Sequence, residues 1–175
     1  MELQCAGMAG EVKAIKKLGY DVTVIGCAEK KTSAQRFLRY TYGSDIRHMF
    51  TDNAAFMNGQ GSCHMCRSAT CPVSPRRPHL ATAGFPCPPF SRARCRTGGT
   101  ERTGKTESHP DFVLVMIQFE QYLRARVPYM FWVEEVLGFL SELSALEGRS
   151  PCAVLVEQLG RIGYSCEAVK LDHEL

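Results

Sequence analysis

Apolar residues recur along this chain with two periods, and the switching between them predicts the architecture. A short apolar start, MELQC, turns through AGMAG into a run where Val12, Ile15 and Leu18 share one helical face and Gly19 marks a stop. DVTVIGCA then has the β-branched density of a strand, and TSAQRFLRY places Ala34, Phe37 and Leu38 on one side of a second helix. Strand, helix, strand, helix is the order of a parallel sheet, because parallel neighbours need a crossover connection and helices supply it.

Residues 43–79 show little periodicity and predict an irregular insert containing SCHMCRSATC and PVSPRRP. HLATAG predicts a brief strand, and it leads into GFPCPPFSRA and then a polar loop, SRARCRTGGTERTGKTESHP. From Asp111 the helical period returns: Phe112, Val115, Met116, Phe119, Tyr122 and Leu123 fall on one face, with Ser108 and Pro110 placed to start the helix. YMFWVEEV predicts an apolar strand ending in two glutamates. Ser150 and Pro151 open a last helix carrying Leu155, Val156 and Leu159, and YSCEAVKL predicts a final strand.

Five strands and four helices in this order predict an α/β fold with a doubly wound, mostly parallel sheet. A single domain over 1–175 is expected, with the insert 43–79 and a basic loop 91–110 inside it. The run Phe131, Trp132, Val133 expects neighbours on both sides, so the sheet is expected to be incomplete at its C-terminal end and to expose an apolar edge.

Composition narrows the class. With 175 residues, 45% of them hydrophobic, the chain can bury a core without staples, and no run approaches the roughly 20 apolar residues that cross a membrane. No secretory leader is visible, so no membrane association and residence in the nucleus or cytoplasm are the expectations. Nine cysteines, an odd number, argue for free thiols, a metal site or a catalytic thiol over a disulfide scaffold. The formal charge of +3 is uneven: residues 67–105 hold seven arginines and Lys105 against the single acid Glu101. Such a segment either draws a polyanion or is a solvated loop.

Ligands of a doubly wound sheet sit beyond the carboxyl ends of its strands, and four features fall there: CAGMAG, Glu29, Cys87 and Glu134. CAGMAG supplies small residues where a backbone turns tightly, with or without a ligand. Glu29 can accept hydrogen bonds from a ribose diol, or can be a solvated acid beside Lys30 and Lys31. Asp52 can accept from an exocyclic amine, or can close an Asx turn. Prolines on both sides hold Cys87 in a stiff loop, where it is either a presented nucleophile or a small thiol in a turn. Glu134 and Glu135 follow so apolar a run that desolvation of a carboxyl suited to proton donation is expected, or else one of the pair simply faces water. SCHMCRSATC offers Cys63, Cys66 and Cys71 with His64 inside and His79 nearby. The CxxC spacing suits zinc but leaves the fourth ligand undefined, and a plain loop with free thiols reads the same. GTERTGKT matches the Walker A letters but lacks the feeding strand and the helix that a phosphate cradle needs.

These residues resemble those of the cytosine-C5 DNA methyltransferases. CAGMAG resembles the family's F-x-G-x-G opening, with Cys5 in place of phenylalanine and Ala9 in place of the second glycine. GFPCPPFS resembles its catalytic signature, and FWVEEV its ENV segment, with Glu135 in place of asparagine. The resemblance implies a fold of the S-adenosylmethionine-dependent methyltransferase type and S-adenosylmethionine as cofactor. It places the cofactor contacts on Cys5, Gly7, Met8, Glu29 and Asp52, the nucleophile's role on Cys87 and the catalytic glutamate's on Glu134, with no metal in the reaction. The implied activity is methylation of carbon 5 of cytosine in DNA, with RNA as an alternative substrate; a catalytically inactive nucleic-acid-binding subunit is the other alternative. The family's Q-x-R-x-R element and target-recognition domain have no counterpart here. The chain is therefore expected to be the cofactor-binding and catalytic half, a fragment or a split enzyme awaiting a second chain that supplies recognition.

Overall fold

The computed structural model describes residues 1–87, 89–90 and 109–171. Among the described residues seven strands form one sheet: β1 (Glu2–Gln4), β2 (Gly26–Ala28), β3 (Met49–Phe50), β4 (Gln60–Cys63), β5 (Ser68–Pro72), β6 (Leu80–Gly84) and β7 (Met130–Glu134), in the order β5-β4-β3-β2-β1-β6-β7. Five of them, β3, β2, β1, β6 and β7, are mutually parallel, and β4 and β5 extend the β3 edge as an antiparallel hairpin. The chain moves outward from β1 to β2 and β3, then returns to the other side of β1 for β6 and β7. That reversal defines a doubly wound sheet and puts a switch point beside β1.

The helices are α1 (Gly10–Lys17), α2 (Thr32–Tyr42), α3 (Ala54–Asn58), α4 (Pro110–Val113), α5 (Phe119–Arg126) and α6 (Pro151–Arg161), with a π-helical turn, Leu114–Gln118, joining α4 to α5. By chain contacts the protein divides into two compact units. One comprises Met1–Phe85 and Gln121–Glu134, the other Pro86–Glu120 and Glu135–Leu175. The whole sheet lies in the first.

Side chains pack on both faces of the middle of that sheet, as strand alternation allows. Leu3, Cys27 and Met49 pack with Val12 of α1 and with Leu38 and Tyr42 of α2. On the opposite face Phe50 and Phe56 meet edge to face at 5.6 Å, and Phe56 meets Tyr122 of α5 at 5.5 Å. Gly26 is required on this face, because a Cβ there would stand 2.9 Å from the Phe56 ring.

Glu2 also points to the second face, with no exposure to solvent. Tyr122 Oη donates to its carboxylate at 2.9 Å, and Arg126 grips both oxygens, Nη2 to Oε1 at 2.6 Å and Nε to Oε2 at 3.1 Å. The same guanidinium donates to the carbonyls of Ser74 and Arg76 at 2.8 and 3.0 Å. One cation thus compensates a buried charge on the central strand and ties down the chain that enters β6.

In the second unit, Ser150 caps α6 by accepting from Ala153 N at 3.1 Å, and Val154, Leu155 and Leu159 are buried. Val115, Met116 and Phe119 are buried as the helical period predicts, as are Tyr122 and Leu123 in the first unit.

Three expectations are corrected. The insert 43–79 is not irregular: it holds β3, α3, β4 and β5. Its strands escape pattern reading because β3 has only two residues and the hairpin is largely polar and exposed. YSCEAVKL forms no strand: it pairs with none of the described strands, and Val169 and Leu171 are each 69% exposed. Leu18 is 73% exposed at the end of α1, so that helix buries Val12 and half-buries Ile15 instead of presenting a full stripe. The expected apolar edge is present: β7 pairs only with β6 among the described strands, and Met130 and Trp132 are each 63% exposed. No described helix is long and apolar enough to cross a membrane.

Replacing Arg126 by leucine leaves the Glu2 carboxylate buried and uncompensated and is expected to cost roughly 3–5 kcal/mol in urea denaturation. Combining it with Glu2→Gln should recover part of that loss. Equal losses in the single and double variants would show that the guanidinium acts through the Ser74 and Arg76 carbonyls alone.

Candidate active site

The carboxyl ends of β1, β2 and β3 gather one set of predicted residues. Beyond β1 the loop 5–9 turns through three left-handed positions, Cys5 at φ 49°, Gly7 at 50° and Ala9 at 48°. Only the glycine adopts this without steric cost; for an L-residue it is worth about 1–2 kcal/mol. Ala6 N donates to Ala28 O at 3.0 Å, which ties the loop to the end of β2. Met8 projects outward, 64% exposed.

Glu29, immediately beyond β2, is 9% exposed. Its carboxylate accepts from Gly7 N and from Lys31 N, both at 2.7 Å. It is therefore not a solvated acid beside lysines: it organises the β1 loop. Each carboxylate oxygen still has a lone pair for a further donor, so a vicinal diol is a suitable additional partner. Gln35 Nε2 donates to the Glu29 carbonyl at 2.6 Å and fixes the turn from below.

Asp52, two residues beyond β3, is exposed, and its Oδ1 accepts from Ala54 N at 2.8 Å, an Asx-type cap on α3. Its neighbour Asn53 was not singled out in the sequence. Asn53 is 7% exposed, its Nδ2 donates to Cys5 Sγ at 3.3 Å, and its Oδ1 is buried with no hydrogen-bond partner. A buried, unused acceptor costs about 1–3 kcal/mol, so Asn53 stores a demand for a polar donor beside the loop. A nearly buried carboxylate, an orphaned amide oxygen and a backbone turned tightly at Gly7 fit a nucleoside-bearing cofactor.

The Pro-Cys segment lies in the second unit. Cys87 is half-buried, and Phe90 N closes a turn onto its carbonyl at 3.0 Å. Phe90 is 6% exposed and anchors that turn among aromatics, 4.9 Å from Phe139 and 5.9 Å from Phe112. Gly138 backs directly onto it: a Cβ there would stand 1.7 Å from the Phe90 carbonyl oxygen. Cys87 is thus presented by a wedged turn. Cys27 is a different kind of thiol; burial, with smaller contributions from Cys63 and Glu29, pushes it up to about 12, so it stays protonated at neutral pH and is a packing residue.

Glu134 ends β7 in the first unit, paired in register with Gly84, the last residue of β6. The expected desolvation is not found. β7 is an edge strand, its alternate residues Met130, Trp132 and Glu134 face solvent, and Glu134 is exposed. Glu135 is half-buried, and its Oε2 accepts from Val136 N at 3.1 Å. The arginines and Lys105 of the basic loop, and the GTERTGKT stretch, lie outside the described residues; of the basic segment 67–105, only Arg67, Arg76 and Arg77 lie within them.

A family model described as C-5 cytosine-specific DNA methylase matches residues 5–173. The chain belongs to that family, and so to the S-adenosylmethionine-dependent enzymes that methylate carbon 5 of cytosine in DNA. A comparison with individually curated proteins gives no match.

The wedge at Phe90 makes a paired prediction. Gly138→Ala forces a methyl against a backbone carbonyl and is expected to destabilise by at least roughly 1–3 kcal/mol. Gly160→Ala, where a Cβ meets nothing within 4 Å, should be neutral or stabilising by up to about 1 kcal/mol. Thermal melts that rank the two variants the other way would remove the wedge from the account.

Proposed function

We propose that Cys87 is the nucleophile and Glu134 the proton-handling acid of this methyltransferase, with Glu29, Asn53 and the loop 5–9 holding the cofactor. The observation that carries the reading is the register of β6 and β7: Gly84, three residues before Cys87, is paired with Glu134. β6 and β7 thus end side by side at the carboxyl edge of the sheet, where a doubly wound sheet binds its ligands, and Cys87 follows β6 closely in the sequence.

Carbon 5 of cytosine is too electron-poor to take a methyl group directly. The Cys87 thiolate adds to carbon 6, forming a C–S bond as the 5,6 double bond opens toward carbon 5. Glu134 holds or protonates N3, which takes up the negative charge displaced through the ring. When bound, S-adenosylmethionine supplies a sulfonium-linked methyl group as the electrophile for carbon 5. Loss of the carbon 5 proton to a base then reforms the double bond and expels the Cys87 thiolate. Exposure of Glu134 suits this role, since the acid must reach a base delivered from outside. Both groups must surround the ring, so the target cytosine leaves the duplex stack.

At the cofactor, the Glu29 carboxylate takes the ribose hydroxyls while keeping Gly7 N and Lys31 N. Asn53 Oδ1, with Asp52 beside it, faces the amine end, and Cys5 and Met8 border the loop. Target selection by a second chain is part of the same proposal, supported by the exposed Met130 and Trp132 on β7, which pairs only with β6 among the described strands.

Methyl incorporation into DNA and into tRNA, with and without a candidate partner chain, tests the assignment. Cys87→Ser is expected to abolish transfer while leaving cofactor affinity nearly intact. Glu134→Gln should slow it by about 100 to 10,000-fold. Glu29→Gln should raise the cofactor Kd by roughly 10- to 100-fold, the worth of one charged hydrogen bond. Transfer to tRNA alone would replace DNA as the substrate, and undiminished transfer by Cys87→Ser would refute the nucleophile.

A further inference from the structure

We propose that His48, Cys63, Cys66 and Cys71 form a closed tetrahedral zinc site that clamps the β3–β4–β5 corner of the sheet. The four donor atoms all lie within 4.8 Å of one another. His48 Nδ1 stands 3.2 Å from Cys71 Sγ and 3.5 Å from Cys66 Sγ. A tetrahedral ion with Zn–S near 2.3 Å and Zn–N near 2.0 Å separates its donors by roughly 3.5–3.8 Å. Small rotations of four side chains therefore close the cluster on one ion.

The ligands come from three pieces of chain that the sheet assembles. His48 directly precedes β3, Cys63 ends β4, Cys66 sits in the hairpin turn and Cys71 lies within β5. Cys63 is paired with Phe50, two residues beyond His48, and Gly61 with Cys71, with a register shift in the hairpin between Gly61 and Cys63. Cys63 and Cys71 are 2% and 4% exposed, His48 is half-buried and Cys66 is exposed, which shields the site on the sheet side and leaves an entry path at the turn.

Neither histidine suggested by the sequence belongs to the set. His64 Nε2 is directed to Thr51 Oγ1 at 3.3 Å, and His79 stacks on Tyr129 at 5.7 Å. The fourth ligand is fifteen residues upstream of Cys63, and only the pairing of β3 with β4 reveals it.

Three thiolates and an imidazole select a soft or borderline ion such as zinc over magnesium or calcium. Four protein ligands leave no open position, so the site is structural and takes no part in methyl transfer. Its purpose follows from what it clamps. A polar two-stranded hairpin is marginal by itself, yet this one borders β3, whose continuation carries Asp52 and Asn53. The proposal does not depend on the methyltransferase reading.

The test uses the full chain without a histidine tag, purified without chelator and under reducing conditions. Elemental analysis should give one zinc per chain, and chelator-stripped protein should take up one equivalent of Co(II) with tetrahedral d–d and thiolate charge-transfer bands. His48→Ala and Cys66→Ser should lose the metal, His64→Ala should keep it, and stripping should lower the melting temperature. Should His48→Ala fail to fold, His48→Cys serves in its place and should retain one zinc with Co(II) bands shifted toward an all-thiolate site. Zinc-free protein that binds no Co(II) after stripping would overturn the proposal, as would loss of metal in His64→Ala with retention in Cys66→Ser.

Discussion

A carboxylate with no exposure to water sits on the central strand of this protein, and the arrangement around it follows from the need to compensate that charge. Glu2 cannot be solvated, so Arg126 must reach it from α5, and Tyr122 must donate from one helical turn earlier. The same guanidinium takes the Ser74 and Arg76 carbonyls, so the amino-terminal side of β1 and the approach to β6 are locked by one group. Buried ion pairs of this kind are weak evidence for net stability, because desolvation offsets the attraction. They are costly to break, however, which fixes the register of whatever carries them.

With one end of the strands held this way, reactive and strained groups are placed at the other. Cys5 and Ala9 adopt left-handed backbone without being glycine, and Asn53 keeps a buried amide oxygen unpaired. Each departs from what a stable loop would choose. The Glu29 carboxylate, held by two backbone N–H groups, keeps that loop in shape. The Pro-Cys turn relies on packing instead: Phe90 is held by Phe112 and Phe139 and backed by Gly138, with no side-chain room between them. The zinc proposal adds a third device at the β4–β5 hairpin, which is largely polar and exposed.

Elements with a full apolar stripe or alternation were legible in the sequence: β1, β2, β6, β7, α2 and the helical run ending in α5. Residues at strand ends were also legible, because a parallel sheet sends all its carboxyl ends the same way. Glu29 directly follows β2 and Glu134 ends β7, as that logic expects. What was hidden depended on pairing. A two-residue strand has no period, and a polar hairpin has no alternation, so β3, β4 and β5 read as an insert. With β3 unseen, His48 and Asn53 were not placed near cysteines fifteen or more residues away. YSCEAVKL misled in the opposite direction, since its apolar residues suggest a strand, while Val169 and Leu171 find nothing to cover them. The exposure of Glu134 was likewise invisible, because an apolar run reads as buried until its place at the sheet edge is known.

The central claim is that Cys87 forms a covalent bond to the target cytosine, and trapping that bond tests it most directly. In DNA containing 5-fluorocytosine, addition and methylation proceed but fluorine cannot leave as a proton, so the C–S bond persists. Incubation with S-adenosylmethionine, followed by peptide mass spectrometry, should place the nucleotide adduct on Cys87 in the wild-type chain, assayed with any partner that activates it, and should find none in Cys87→Ser. An adduct on another cysteine, or one that survives Cys87→Ser, would contradict the account.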